Sequence, residues 1–334
     1  MMRHIAANAL TFIILAIAGL GILVMWARAE FSAPGPLAET IIVPVERGDG
    51  LSKVTERLRD AGAINNPTFF RLGARYAKAA EKLKFGEYEI PAAASMDDIL
   101  AIITSGRGVS YAVTVVEGWT SWQVVQKLNS VDLLTGEIVE IPPEGSLAPN
   151  TYSYNRGESR LALIEKMQKA QVEILENAWL NRDPETLLKN REEALILASI
   201  IEKETGQVEE RALVASVFNN RLKRGMRLQT DPTVIYGLTE GKGSLGRGLR
   251  RSELDKATPY NTYIIEGLPP TPIANPGKAA IEATLNPADS DFIFFVADGT
   301  GGHAFAETLR EHNANVRKWR AIEAERAKAA SDNN

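Results

Sequence analysis

The chain contains no cysteine, which excludes a disulfide framework, a thiolate zinc site and a cysteine nucleophile. An absence of thiols also suits an oxidising compartment. Histidine is nearly missing as well, with three in 334 residues and one of them at position 4. His303 and His312 lack the i, i+4 spacing and the companion glutamate of a helical zinc site, and no serine sits in a nucleophile elbow. No metal and no cofactor is therefore expected. Positive charge is not in surplus: 38 Lys and Arg stand against 42 Asp and Glu, for a formal net charge of -4, which argues against a nucleic-acid partner.

What is present is ordinary for a globular chain, at 45% hydrophobic and 24% charged residues, and 334 residues leave room for two or three units. Ile5 to Ala27 is uncharged and mostly apolar. At about 1.5 Å per residue it is long enough to cross a hydrocarbon core of about 30 Å. Ala27-Arg28-Ala29 mimics a signal cleavage site, but the apolar run is too long for a signal peptide and an arginine adjoins the bond, so an uncleaved transmembrane helix is expected. Arg3 and the amino terminus orient residues 1–4 to the cytoplasm, which puts the rest of the chain outside it.

Residues 28–39 read as a linker, because Phe31-Ser-Ala-Pro-Gly-Pro36 cannot continue a helix. Residues 40–110 read as a small α+β module: a strand at Thr40–Val45, helices at Leu51–Leu58 and Asn66–Tyr76, a strand at Phe85–Ile90 and a helix at Met96–Thr104. Residues 111–328 read as a larger α+β domain and residues 329–334 as a frayed tail. In the larger domain a helix follows the cap Thr120-Ser121, and Ser159 to Leu180 carries a stripe of Leu161, Ile164, Met167, Gln168, Val172 and Leu175. Ala194 to Thr205 is apolar nearly all round, as a buried helix should be, and Val208 to Lys223 is the next helix. From Gln229 the chain is rich in Thr, Pro, Gly and Asn up to a strand at Phe292–Ala297, and a charged helix with Trp319 follows. Gly241-Lys-Gly-Ser-Leu-Gly246 satisfies G-x-G-x-x-G, but no hydrophobic strand precedes it and no helix opens on it, so it reads as a hairpin rather than a dinucleotide site.

Chemistry concentrates in Leu197-Ala-Ser-Ile-Ile-Glu-Lys-Glu-Thr-Gly206, where an apolar helix closes on two carboxylates. A carboxyl at the end of such a helix either reaches water or is desolvated, and desolvation raises its pKa toward that of a general acid near neutrality. Glu202 continues the Leu195, Ala198, Ser199 stripe and Glu204 continues Leu197, Ile200 and Ile201, so periodicity does not choose between them. Two solvated glutamates at a helix end remain the plain alternative.

Downstream follow Val217-Phe-Asn-Asn-Arg-Leu222, Met226-Arg-Leu-Gln-Thr-Asp-Pro-Thr-Val-Ile-Tyr-Gly237, Tyr260-Asn-Thr-Tyr263, Gly267-Leu-Pro-Pro-Thr-Pro-Ile-Ala-Asn-Pro-Gly277 and Ala297-Asp-Gly-Thr-Gly-Gly-His-Ala-Phe305. With the E-K-E triplet these resemble the YceG-like (MltG) family of endolytic murein transglycosylases, most specifically over residues 195–305. Gly86-Glu-Tyr-Glu-Ile-Pro91 with its preceding elements resembles that family's LysM-like module, while Ser146 to Tyr152 departs from the family pattern and is given no role. The resemblance implies a lytic transglycosylase acting on peptidoglycan glycan strands, single-pass in the inner membrane with its catalytic domain in the periplasm, and names peptidoglycan synthases among its candidate partners. It implies Glu202 as the catalytic acid, with Gln229, Asp231, Tyr236, Asn261, Tyr263 and Asn275 as substrate-binding candidates. Asp231 and Asn275 each precede a proline, where a turn or cap role is the alternative. The rival class is a non-catalytic peptidoglycan-binding scaffold of the wall-synthesis machinery.

Overall fold

The structure, a computed structural model, describes the backbone of residues 2–332 and the side chains of residues 11–328. Met1, at the start of the expected cytoplasmic segment, and Asn333 and Asn334, at the end of the expected tail, lie outside the described residues. The chain is mixed α+β and divides into two compact units. One comprises Met1–Ala112 with Leu133–Thr135 and Ser153–Glu158; the other comprises Val113–Asp132, Gly136–Tyr152 and Ser159–Asn334.

The first unit begins with α1 (Met2–Phe31), whose stretch Thr11–Phe31 is long and apolar enough to cross a membrane, with a mean hydropathy of 2.2. After it come β1 (Ile41–Val45), α2 (Leu51–Asp60), α3 (Pro67–Tyr76), β2 (Gly86–Ile90) and α4 (Met96–Ser105). β1 pairs antiparallel with β2, with Val43 opposite Tyr88 and Ile41 opposite Ile90. Alternation buries Val43, Val45, Tyr88 and Ile90 on one face, where they meet Val54, Leu58, Phe70, Ile99 and Ile103 from the helices. The helix starts follow their capping residues. Asn66 accepts from the Phe69 N–H at 3.0 Å ahead of Pro67, and Ser95 and Asp98 form a reciprocal capping box at the start of α4.

The chain continues through β3 (Tyr111–Val115), α5 (Ser121–Asn129), β4 (Asn150–Tyr154), α6 (Arg160–Leu180) and α7 (Arg191–Glu204). A 3₁₀ turn at Val208–Glu210 leads into α8 (Arg211–Lys223), α9 (Asp231–Thr239), α10 (Arg251–Leu254) and α11 (Lys278–Leu285). The last elements are β5 (Phe294–Ala297), β6 (His303–Ala306) and α12 (Leu309–Asp332). β3 pairs with β4, and β5 pairs antiparallel with β6. α7 is the hub of the second unit, packed against α6, α8, α9 and α11. Its Leu197, Ala198, Ile200 and Ile201 share a core with Val214, Phe218, Ile281 and Leu285.

Several expectations need correction. α6 does not bury the stripe of Leu161, Gln168 and Val172: Leu161 and Val172 are exposed, and the buried row is Leu163, Ile164, Met167, Gln171 and Ala178. The row rotates because Gln171 turns inward, its Nε2 donating to the Gly145 carbonyl at 3.0 Å. The single helix expected over 208–223 is a 3₁₀ turn followed by α8, and β4, α9, α10, α11 and β6 are elements beyond those expected. Gly241 to Gly246 is an irregular turn after α9 with no paired strands, not a hairpin. α12 runs through Asp332, so the segment from Ala329 begins as helix.

The α4 cap gives a local test. Ser95 Oγ accepts the Asp98 N–H at 3.1 Å while Asp98 accepts the Ser95 N–H at 3.0 Å, and the hydrogen bonds from Ser95 hold the Asp98 carboxyl below its usual range. Ser95→Ala is expected to cost about 1 kcal/mol, read as faster amide hydrogen exchange in Met96–Ile99. Unchanged exchange there would contradict the cap's contribution.

Candidate active site

α7 is started by Asn190, whose Oδ1 accepts the Glu193 N–H at 2.8 Å, and is buried along most of its length. Its last turn therefore emerges among other elements rather than into open water. Residues 202, 203 and 204 step round the helix by about 100° each, so the three charged side chains diverge.

Glu202 points to a closed corner. Its Oε1 lies 3.3 Å from Arg211 Nη2, and its Oε2 accepts the Gly277 N–H at 2.9 Å. The two side chains of this ion pair are 4% and 8% exposed, and Arg211 also reaches the half-exposed Glu117 at 3.1 Å. A Cβ at Gly277 would lie 1.9 Å from a Glu117 carboxylate oxygen, so a side chain there would displace Glu117 from Arg211. Burial raises the Glu202 pKa, against the Gly277 N–H and Arg211, which lower it. Lys203, the middle residue, donates from Nζ to the Gly118 carbonyl at 3.2 Å.

Glu204 points to the segments that the sequence singled out. Its Oε1 accepts a short hydrogen bond from the Thr230 hydroxyl. Burial pushes its pKa up and the neighbouring Asp231 adds to that, against the Thr230 hydrogen bond first and then His303 and Arg221, which lower it. Tyr263 donates from its hydroxyl to Asp231 Oδ1 at 2.7 Å, and burial raises the Tyr263 phenol well above its usual value. Arg221 is buried and held in place by the carbonyls of Ile293 at 2.7 Å and Leu228 at 2.8 Å. It also donates to Gln229 Oε1 at 3.4 Å. Gln229 takes a positive φ of 53° and is exposed, as is Asp231. His303 is clamped by Glu210, which accepts its N–H at 2.7 Å and lies 2.7 Å from its Nδ1.

Tyr236 and Asn275 meet elsewhere, around Glu144. Glu144 Oε1 accepts the Ser121 N–H at 2.7 Å, and its Oε2 accepts the Tyr236 hydroxyl at 3.2 Å. Asn275 is fully buried, donating to the Trp119 carbonyl at 3.0 Å and accepting the Leu147 N–H at 2.9 Å. Burial raises the Glu144 pKa. Asn261 is fully buried too, donating to the carbonyls of Leu254 and Lys256 at 2.9 and 2.7 Å and accepting the Tyr263 N–H at 3.0 Å. Beside Tyr236, a cleft of about 420 Å³ runs along Pro232, Ile235 and Thr239 of α9 to the Gly241–Gly246 turn.

Of the residues named from sequence, Gln229, Asp231 and Tyr263 gather with Glu204; Tyr236 and Asn275 form the Glu144 network; Asn261 braces the loop that presents Tyr263; Glu202 is held apart by Arg211. Sequence reasoning missed Arg211, Glu144, Thr230 and the Glu210–His303 pair. Only Thr230 and His303 lay inside quoted motifs, where they could have been found. Among the described residues, no group of three or more His, Cys, Asp or Glu could hold a metal ion.

Residues 43–318 match the YceG-like family, and the chain belongs to that family. It is 31% identical over 314 residues to the endolytic murein transglycosylase of Bacillus subtilis, with 84% of this chain and 85% of that one covered. It is 29% identical over 325 residues to the protein of the same name from Streptococcus pneumoniae, covering 83% of this chain but 58% of that longer relative. Among solved structures, a YceG-like protein of Listeria monocytogenes superposes with a TM-score of 0.50 at 31% identity, over 83% of this chain and 99% of that one.

Burial raises the pKa of both glutamates, so what separates them on neutralisation is the Arg211 ion pair that only Glu202 makes. Glu202→Gln leaves Arg211 with only the half-exposed Glu117, and a loss of about 3 kcal/mol is expected, at the low end for a broken buried pair. Glu204 has a raised pKa when folded, so the folded state holds its proton more tightly than the unfolded chain does. The stability this confers is present below the ordinary carboxylate pKa of about 4.3 and is lost as pH rises through the raised folded value. Glu204→Gln should therefore melt no lower than the wild type at pH 8, with its relative advantage shrinking toward pH 4. Thermal melts of both variants check this, and a Glu204→Gln protein that is the less stable of the two at pH 8 would contradict it.

Proposed function

We propose that this protein is a membrane-anchored endolytic lytic transglycosylase that cuts peptidoglycan strands internally with Glu204 as its single acid and base. The sequence-based expectation gave that role to Glu202. Preference for Glu204 rests on one observation: it is the α7 carboxyl beside Thr230, Asp231, Tyr263, Arg221 and His303, whereas both oxygens of Glu202 are occupied by Arg211 and the Gly277 N–H.

In this reading the protonated Glu204 gives its proton to the O4 of the departing N-acetylglucosamine as the bond to muramic acid C1 breaks. The resulting carboxylate takes the proton from the muramic acid 6-hydroxyl as O6 bonds to C1. No water is consumed, the product end is a 1,6-anhydro sugar, and Glu204 returns to its protonated form. An ordinary glycosidase needs two carboxylates; the internal nucleophile removes the need for the second. Gln229 and Asp231, both exposed, are the contacts we assign to the glycan, and the Tyr263 hydroxyl on Asp231 fixes that carboxylate's orientation. Tyr236, Asn261 and Asn275 serve by holding the surrounding loops, because their polar atoms are engaged within the protein.

α1 is the anchor in this account, single-pass in the inner membrane with the catalytic domain in the periplasm, as the apolar run Thr11–Phe31 supports. Residues 40–110 act as a LysM-like glycan-binding module. Peptidoglycan synthases, which make the strand, are the fitting partners.

The test is mass spectrometry of the products formed by full-length protein on uncrosslinked glycan strands. Glu204→Gln is expected to lower the rate of 1,6-anhydro end formation by about 10²- to 10⁴-fold while remaining folded. Activity of the wild type should fall as pH rises through the raised Glu204 pKa. Full activity of Glu204→Gln, with loss in a folded Glu202→Gln, would return the acid role to Glu202. Glycan binding without anhydro ends in the wild type would favour a scaffold.

A further inference from the structure

The first unit presents a surface that the reaction does not use. Phe31, at the end of α1, packs on α3: its ring stacks on Phe70 at 6.4 Å between centroids and tilts against Phe69 at 6.5 Å. Trp26, more than one turn earlier, lies 6.1 Å from Phe69. Gly73 makes this contact possible, since a Cβ there would come within 2.3 Å of the Phe31 ring. A glycine in mid-helix costs roughly 1 kcal/mol relative to alanine, so the close approach of the two helices is bought with stability.

The side of α3 that faces away from the core, next to the α1 contact, is uncovered. Leu72 is 64% exposed and Tyr76 is 90% exposed, one helical turn apart, while Phe70 and Ala74 face the core. Arg75 and Lys78 are exposed beside them, and between Asp60 and Glu81 the chain carries Arg71, Arg75 and Lys78 with no acidic residue. An aromatic, a leucine and cations on one face suit the headgroup layer of an anionic bilayer.

Depth points the same way. The uncharged run ends at Ala27, with Arg28 and Glu30 following, and Trp26 is one residue, or about 1.5 Å along the axis, before that end. The interfacial layer on each side of a bilayer is about 5–8 Å thick. Phe69 against Trp26 therefore sets the start of α3 at the level where interfacial tryptophans sit.

We infer that α3 is an interfacial helix, which lays Leu72, Arg75 and Tyr76, with Lys78 two residues past its end, on the anionic headgroups of the membrane that α1 crosses. This rests on the reading of α1 as an anchor. The bilayer then holds the small unit at its surface by a second contact, in addition to the span itself.

The chain's lack of cysteine makes a clean experiment. Leu20→Cys, Leu72→Cys and Val139→Cys are each made in the full-length protein, nitroxide-labelled, and placed in nanodiscs of phosphatidylglycerol and phosphatidylcholine. Collision with dissolved oxygen and with a water-soluble nickel chelate reads the depth of each label. Position 20 should lie in the hydrocarbon, and position 72 should show a several-fold loss of chelate collisions relative to position 139, which is 83% exposed. Position 20 protected but position 72 as open as 139 would overturn the inference, leave the anchor standing, and hand this face to a protein partner. Position 20 open to the chelate would overturn the anchor and the inference together.

Discussion

A helix buried on nearly every side cannot end in charged residues unless the surrounding structure answers each charge. α7 is such a helix, with Ala194, Leu197, Ala198, Ile200 and Ile201 in the core and Glu202, Lys203 and Glu204 in its final turn. Desolvating an isolated carboxylate costs several kcal/mol, and a protein meets that cost with a partner or with a proton. Two environments occur within one turn, and burial raises the pKa of both carboxyls. Glu202 is paired by Arg211 and the Gly277 N–H, while Glu204 has a neutral hydroxyl donor and a nearby acid, Asp231.

The rest of the second unit follows from seating that turn. α11 and the Gly277 segment supply the N–H that Glu202 needs, and α9 begins beside Glu204 with Thr230 and Asp231. Buried Asn275 and Asn261 tie irregular segments together, so loops rich in proline and glycine hold a fixed geometry. Glu144 is a third buried carboxyl with a raised pKa, but its donors, the Ser121 N–H and the Tyr236 hydroxyl, make it a brace for the wall of the neighbouring cleft.

Much of this was legible before any coordinates. The α+β class, the apolar first helix, the helix starts at Asn66 and Thr120, and the buried character of α7 all follow from local patterns. α9 was not legible, because Asp231-Pro-Thr-Val-Ile-Tyr-Gly237 mixes β-branched residues with glycine; its proline is a first-turn residue rather than a breaker. α11 and β6 are short, eight and four residues, and each follows directly on a glycine, which hides their periodicity. The α6 stripe was misplaced because an inward glutamine reads as polar, though it is spent on the Gly145 carbonyl. In the site, sequence could bring two glutamates to one helix end but not separate them. Their difference lies in Arg211 and Thr230, which are remote along the chain from each other and marked by no spacing rule.

The central claim is that Glu204 carries a proton in the folded protein at pH values where a free carboxyl is ionised. Carbon-13 NMR of side-chain carboxyls in protein labelled at glutamate, titrated between pH 3 and pH 9, measures this directly. The account predicts a resonance titrating above the ordinary carboxylate range that vanishes in Glu204→Gln and persists in Glu202→Gln. A Glu204 resonance that titrates in the ordinary range would contradict it.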